Sequence, residues 1–404
     1  MFDWIIENPD NVTEADIIVG IPSRNEADTI AFPTQQASLG LTRYFPDKKA
    51  VIVNCDNFST DGTKEAFFSA PCQVPRIYLS TPEGVLGKGN NFRNLFRLIC
   101  DLNAEAVVVV DADLESITPK WIKNLGEPIF GDYGYVTPIY LRHKYDGTIT
   151  NNIAYPMSRA LYGRRVRQPI GGDFGFSGEL AKFYLEHDSW SEATAHFGID
   201  IWMTTLAMYF RKPITQAFLG RPKIHRAKDP ASSLGPMFRE VVGTLFSLQS
   251  TLFDFWKDVH RSKPTAIFGF GLGESEEPPP VSVNTTALFS KLHDGYENFS
   301  DLWREAMTEE TFSKLEEVLA ADEKRFELPP VLWAHILFDM SVAYRDRLTN
   351  TDNLMESLAP LYFGRTLSFV KSTMEMGLGQ AEEYIDEQCQ CFEREKPYLL
   401  KRWG

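Results

Sequence analysis

The stretch Val107-Val108-Val109-Val110-Asp111-Ala112-Asp113 constrains this chain more than any other. Four consecutive β-branched residues read as a strand buried on both faces, and the acids that follow end it abruptly. In an extended chain alternate side chains share a face, so Asp111 and Asp113 point the same way. Two like charges held together are costly unless a cation relieves them. A hard divalent ion such as Mg²⁺ or Mn²⁺, bridging to a diphosphate, does so. A pair of solvated turn aspartates is the plainer alternative, and Asp-x-Asp alone does not choose between them.

Three further runs have the same character: Asp16 to Pro22, Ala50 to Asn54 and Pro75 to Leu79. Helical patterns separate them, at Glu26 to Gly40, Thr63 to Phe68 and Asn91 to Leu102. This alternation predicts an α/β fold with a mostly parallel, Rossmann-like sheet and ligands at the carboxyl ends of the strands. From about Leu234 the pattern turns helical, at Met237–Val259, Thr285–Tyr296, Glu309–Ala321, Val331–Arg347 and Leu361–Cys391. A Gly, Glu and Pro-rich stretch from Gly269 to Pro280 reads as a loop or linker. The expected organisation is a catalytic domain over 1–235 and an α-helical domain over 236–404.

The formal net charge of −14 argues against a nucleic-acid-binding surface, which needs clustered Lys and Arg. No apolar run is long enough to span a bilayer, and Asp3, Glu7 and Asp10 stand where a signal peptide would be basic. Cys55, Cys72, Cys100, Cys389 and Cys391 are scattered, as in a reduced, cytoplasmic protein.

The strand ends carry the remaining chemistry. Pro22-Ser23-Arg24-Asn25-Glu26 follows the first long run, and Asp56-Asn57-Phe58-Ser59-Thr60-Asp61-Gly62-Thr63 follows the second. Asp56 is a carboxylate at a strand end, free to accept a hydrogen bond from a ligand, with turn and helix-cap chemistry as the alternative; Asp61 reads as a turn and helix cap. Gly87-Lys88-Gly89 precedes a helix, and its glycines suit close backbone approach to an anion that Lys88 neutralises.

Together with Asp111-Ala112-Asp113, Gln168-Pro169-Ile170-Gly171-Gly172-Asp173, Gly198-Ile199-Asp200 and His225-Arg226, these stretches resemble the mannosylglycerate synthase and glucosyl-3-phosphoglycerate synthase group of retaining GT-A glycosyltransferases. The resemblance implies that Pro22, Arg24, Glu26, Asp56, Lys88, Asp111 and Ala112 line the nucleotide-sugar pocket. It implies that Asp113 and His225 ligate Mg²⁺ or Mn²⁺, with Asp111 assisting. The Ile170 carbonyl would lie near the anomeric carbon, and Asp200 would bind sugar or acceptor hydroxyls. Lys223, Arg226 and Lys228 suggest a positive rim for the diphosphate, or simply a solvated basic loop.

The segment Arg142-His143-Lys144-Tyr145-Asp146-Gly147-Thr148-Ile149-Thr150 resembles the glycerate-binding segment of mannosylglycerate synthase. Arg142, Asp146 and Thr150 take those roles by resemblance, and an Arg fork suits a carboxylate. The phosphoglycerate enzymes resemble this region as Gly-Arg-x-Thr, whereas Thr148 stands here in place of the Arg. The expected reaction moves glucose or mannose from a GDP-, UDP- or ADP-sugar to D-glycerate, giving a compatible solute. The alternative acceptor is 3-phosphoglycerate, with Lys144 or Lys228 supplying the charge. A sugar nucleotidyltransferase is disfavoured, since no Gly-rich basic loop follows the first strand. The amphipathic helical half suggests a homo-oligomer.

Overall fold

The computed structural model describes residues 4–225, 230–269 and 277–404, with backbone only over 230–234. The strands are β1 Ile5–Glu7, β2 Ile17–Ser23, β3 Ala50–Asp56, β4 Arg76–Ser80, β5 Ala106–Val109, β6 Tyr135–Leu141, β7 Phe174–Ser177, β8 Ile214–Pro222 and β9 Ala266–Phe268. Among the described residues they form one nine-stranded sheet, in the order β1-β4-β3-β2-β5-β7-β6-β8-β9. The pairings β2–β3, β2–β5, β3–β4, β6–β8 and β8–β9 are parallel, so the sheet is mostly parallel, as the alternating pattern predicts. The antiparallel strand β7 is inserted between β5 and β6.

The chain divides into two compact units. The first comprises Met1–Arg142, Val166–Pro230 and Thr265–Pro278, and holds the sheet. On one sheet face Ile17, Val19, Ile21 and Val108 pack with Leu41, Trp121, Ile122 and Leu125, all fully buried. On the other face Gly20 leaves room for the helix Lys88–Asp101, because a Cβ there would stand 2.6 Å from Leu95 Cδ2. Parallel β3, β2 and β5 deliver Asp56, Ser23 and the Asp111 turn to the same edge of the sheet.

The second unit comprises His143–Arg165, Ala231–Pro264 and Pro279–Gly404 and is helical. Residues 143–165 belong to it although they precede residue 235. Its long helices are Pro230–Thr251, Thr285–Ala306, Glu309–Leu319, Pro330–Arg345, Thr351–Thr373 and Leu378–Trp403. Trp256, Trp303 and Trp333 are fully buried in it. The pattern predicts one helix over Leu361–Cys391, whereas the chain breaks between Thr373 and Leu378. The Lys144 ammonium donates to the Thr373, Met374 and Met376 carbonyls at 2.6, 3.0 and 2.7 Å and so terminates the first helix. Of the Gly269–Pro280 linker expectation, 270–276 lie outside the described residues. No described helix is long and apolar enough to cross a membrane.

Candidate active site

The site is built on the carboxyl edge of β2, β3 and β5, within the first unit. At its centre lies Asp111, just beyond β5. Its Oδ1 is 3.1 Å from Lys88 Nζ, and its Oδ2 is 2.8 Å from Lys223 Nζ. Lys88 opens its helix and also faces Asp200, at 3.4 Å. Lys223 follows β8 directly and donates to Asp173 Oδ2 at 2.8 Å and to the Gly171 carbonyl at 2.6 Å. Burial by itself would lower both ammonium groups. The carboxylates outweigh it, Asp111 and Asp200 for Lys88 and Asp111 and Asp173 for Lys223, and both lysines stay charged above the ordinary lysine range.

The turn Pro169–Gly172 is gripped from several sides. Thr204 Oγ1 donates to the Pro169 carbonyl at 2.8 Å. Tyr140 donates its hydroxyl to the Gly171 carbonyl at 2.8 Å and also contacts Asp173. Asp200 Oδ2 accepts from the Gly172 amide at 2.9 Å and the Gly171 amide at 3.4 Å. Asp173 is fully buried; burial pushes its carboxyl up, and its Oδ1 accepts from the Asp111 amide at 3.1 Å. Gly172 has φ +82°, and a Cβ there would stand 2.1 Å from Asp111 Oδ2. The glycine therefore sets how closely this turn approaches the acid.

Two glycines work differently from the expectation. A Cβ on Gly87 would lie 2.2 Å from the Ala195 carbonyl, and one on Gly89 would lie 2.0 Å from the Thr194 carbonyl. The backbone that approaches Gly87-Lys88-Gly89 closely is the chain's own, and the Gly89 amide donates to the His196 carbonyl at 3.2 Å. What remains for an anion is the lysine.

The other predicted donor residues line the same edge. Pro22 is buried in β2, Arg24 is exposed, and Glu26 is buried with Oε2 accepting from Thr29 Oγ1 at 2.8 Å. Asp56 is buried among its own partners, accepting from Ser23 Oγ at 2.7 Å, Ser59 N at 2.6 Å and Tyr78 OH at 3.0 Å. Asp61 accepts from the Ala27 and Thr63 amides, both at 3.1 Å, as a turn residue, while Gly62 is the N-cap of the helix that follows. Ala112 and Asp113 are buried. A backbone bridge pairs Leu114 with His225, and the Glu115 amide donates to the Ile224 carbonyl at 2.9 Å. The His225 backbone thus runs beside the residue that follows Asp113. Among the described residues no three His, Cys, Asp or Glu side chains converge closely enough to hold a metal by themselves.

The predicted acceptor residues fall in both units. Arg142 closes a segment of the first, its guanidinium 4.6 Å above the Tyr140 ring. Asp146 and Thr150 belong to the second, Thr150 buried at the start of a π-helical turn, Thr150–Ala154. Lys228 lies outside the described residues. Sequence reasoning missed the grip of Tyr140 and Asp173 on the turn. It also missed Asn57, whose Oδ1 accepts from the Gly87 amide at 2.8 Å and whose Nδ2 donates to Asn91 Oδ1 at 3.1 Å. Asn57 directly follows β3, and that strand-end position is the signal that would have found it.

The geometry defines a class first: an α/β protein whose strand-end Asp111 is held between two partly buried lysines. No family model matches the chain, and no curated protein matches it. Solved structures do. Glucosyl-3-phosphoglycerate synthase from Mycobacterium tuberculosis, with Mn²⁺, UDP and glucosyl-3-phosphoglycerate, is 26% identical. The match covers 58% of this chain and 79% of that one, with a TM-score of 0.45. The same enzyme with Mg²⁺ and UDP is 26% identical over the same shares, with a TM-score of 0.44. A structure described as a mycobacterial protein is 26% identical over 58% of this chain and 74% of that chain, also at 0.44.

Proposed function

We propose that this chain is a metal-dependent retaining hexosyltransferase acting from a nucleotide sugar onto D-glycerate, making glucosylglycerate or mannosylglycerate as a compatible solute in the cytoplasm. The observation that carries the reading is the Asp111 carboxylate held between the Lys88 and Lys223 ammonium groups, against the Gly171–Gly172 turn. A water-poor edge carrying two cations and two strand-end acids is suited to a diphosphate that develops charge as its bond to the sugar breaks.

In this reading Asp113 and His225, with Asp111, would hold Mg²⁺ or Mn²⁺: the His225 backbone is bridged to Leu114, next to Asp113, and diphosphate oxygens would complete the coordination that the side chains do not supply by themselves. The bound ion would offset charge on the leaving group. Lys88 and Lys223 meet the same charge from the protein. Asp200 holds the turn amides through Oδ2, leaving Oδ1 facing Lys88 for a sugar hydroxyl. It is a positioning group in this reading, and the Ile170 carbonyl lies within the turn it holds. The bond from C1 to the diphosphate oxygen breaks, the bond from C1 to the glycerate 2-oxygen forms, and the hydroxyl proton passes to the diphosphate. Pro22, Arg24, Glu26, Asp56 and Ala112 complete the nucleotide side.

Arg142, Asp146 and Thr150 take D-glycerate. Burial and the neighbouring Lys144 push the His143 imidazole down, against its charged form. Lys144 is bound to three carbonyls. Thr148, where a phosphate-gripping Arg would stand, shares a 2.5 Å hydrogen bond with Tyr362. Residues 143–150 thus offer a phosphate no available cation, which favours an unphosphorylated acceptor.

The test is a matrix of initial rates: GDP-mannose, GDP-glucose, UDP-glucose and ADP-glucose against D-glycerate and 3-phosphoglycerate, with and without Mg²⁺. Metal-dependent transfer to D-glycerate is expected. A preference for 3-phosphoglycerate would overturn the acceptor assignment alone, and absence of transfer from every donor would overturn the enzyme class.

A further inference from the structure

The segment that carries Asp146 and Thr150 has an unusual local problem. Thr150–Ala154 is a π-helical turn, in which the Tyr155 amide bonds back to the Thr150 carbonyl. The residue after Tyr155 is Pro156, which has no N–H. In the α register Pro156 would serve the Asn152 carbonyl, and in the π register the Asn151 carbonyl. Both carbonyls therefore lose a local donor in a segment where Asn151 and Asn152 are 3% and 0% exposed. Buried carbonyls need partners from elsewhere.

Two side chains of the helical unit supply them. Gln388 Nε2 donates to the Asn151 carbonyl at 2.7 Å, and Trp333 Nε1 donates to the Asn152 carbonyl at 2.7 Å. Gln388 is held in the right sense, because its Oε1 accepts from Arg365 Nε at 2.9 Å, which aims its NH₂ group at the turn. Trp333 is fully buried, on the helix Pro330–Arg345. Upstream, Tyr145 OH donates to the Val370 carbonyl at 3.2 Å, and Lys144 and Thr148 are anchored as described. The segment from 144 to 155 is thus fixed by hydrogen-bond partners that lie more than 180 residues further along the chain.

We infer that Trp333 and Gln388 are positioning residues for the acceptor: by capping the two carbonyls orphaned by Pro156 they fix the turn that presents Thr150 and, through it, Asp146. This rests on the acceptor assignment proposed above. Neither side chain touches substrate; both act through the backbone. Donor binding, which belongs to the strand-end acids and lysines of the first unit, is independent of them.

The experiment is Trp333→Phe, which keeps an aromatic ring and removes only the N–H donor and part of the ring system. KM for D-glycerate should rise about tenfold, the effect of one buried carbonyl left unpaired. KM for the nucleotide sugar and the affinity for the nucleoside diphosphate should stay unchanged. Amide exchange over 148–155 should quicken. The second variant is Trp333→Phe with Pro156→Ala, which returns an N–H to the turn and should recover most of the acceptor KM. An unchanged D-glycerate KM in Trp333→Phe, an equal rise in both KM values, or a double variant no better than the single one would overturn the proposal while the transferase reading stands. A wild-type chain with no transfer to D-glycerate would overturn the underlying assignment, and this role with it.

Discussion

Lys223 shows what a single residue can hide. In the sequence it is one of several basic residues near His225 and reads as part of a rim. In the structure its side chain is 5% exposed and its ammonium joins Asp111, Asp173 and the Gly171 carbonyl. The Asp-x-Asp pair was legible because a hydrophobic strand announces its own end. The lysine was not, because nothing local marks a residue just past a strand as facing inward, and its partners come from 50 and 112 residues away. Lys223→Met should lower kcat/KM at least ~100-fold, as loss of a preorganised charge does. It should also lower Tm, since breaking a buried ion pair costs about 3–5 kcal/mol. Asp113→Ala should likewise abolish metal-dependent transfer but keep a cooperative thermal transition. Assays of rate and melting on the two variants separate charge placed for chemistry from charge the fold also needs. A Lys223→Met protein with wild-type kcat/KM would remove that lysine from the mechanism.

At the scale of elements, the parallel strands β2 to β5 were readable within a residue or two, because burial on both faces forces continuous apolar runs. Antiparallel β7 was not, since Phe174-Gly175-Phe176-Ser177 is short and its register depends on β5 and β6. The break after Thr373 was missed because a lysine 229 residues upstream helps to make it. The Gly171–Gly172 turn falls between these cases: its glycines are visible, but which one touches Asp111 is a tertiary fact. Gly172→Ala tests it. A methyl 2.1 Å from Asp111 Oδ2, at φ +82°, must push the turn or the acid aside. Transfer should fall ~100-fold or more by loss of geometry, while circular dichroism stays native. The same substitution at Gly220, whose φ is +79° and where no atom lies within 4 Å of the added Cβ, should cost only a modest drop in Tm. Equal losses of activity at the two glycines would mean that backbone strain, rather than contact with Asp111, is what matters.

The whole molecule carries a net charge of −14, yet its stability should depend on pH through a cation rather than through its acids alone. Lys396, on the last helix, is 4% exposed, and its ammonium donates to the Trp256 and Val259 carbonyls, both at 2.6 Å. Those carbonyls, with Asp258 and Glu393 nearby, favour the charged form, but burial outweighs them and pushes the group down to about 7. The unfolded chain would hold this proton up to the ordinary lysine value of 10.5. Between those two values the unfolded state binds more protons than the folded one, so stability rises with pH across the window. The contribution is fully present above the unfolded value and is lost as pH falls through about 7. Below that both states are charged and the slope vanishes. Lys396→Met removes the titration, so the difference in Tm, wild type minus variant, should climb steadily from pH 7 to pH 10 and be flat below pH 6. Acidic groups elsewhere cancel in that difference, because they are common to both proteins. A difference that stays level from pH 6 to pH 10 would mean that the folded chain keeps Lys396 charged. The Trp256 and Val259 carbonyls that accept from it would then belong to a true ammonium site, and the alkaline side of the stability curve would need another origin.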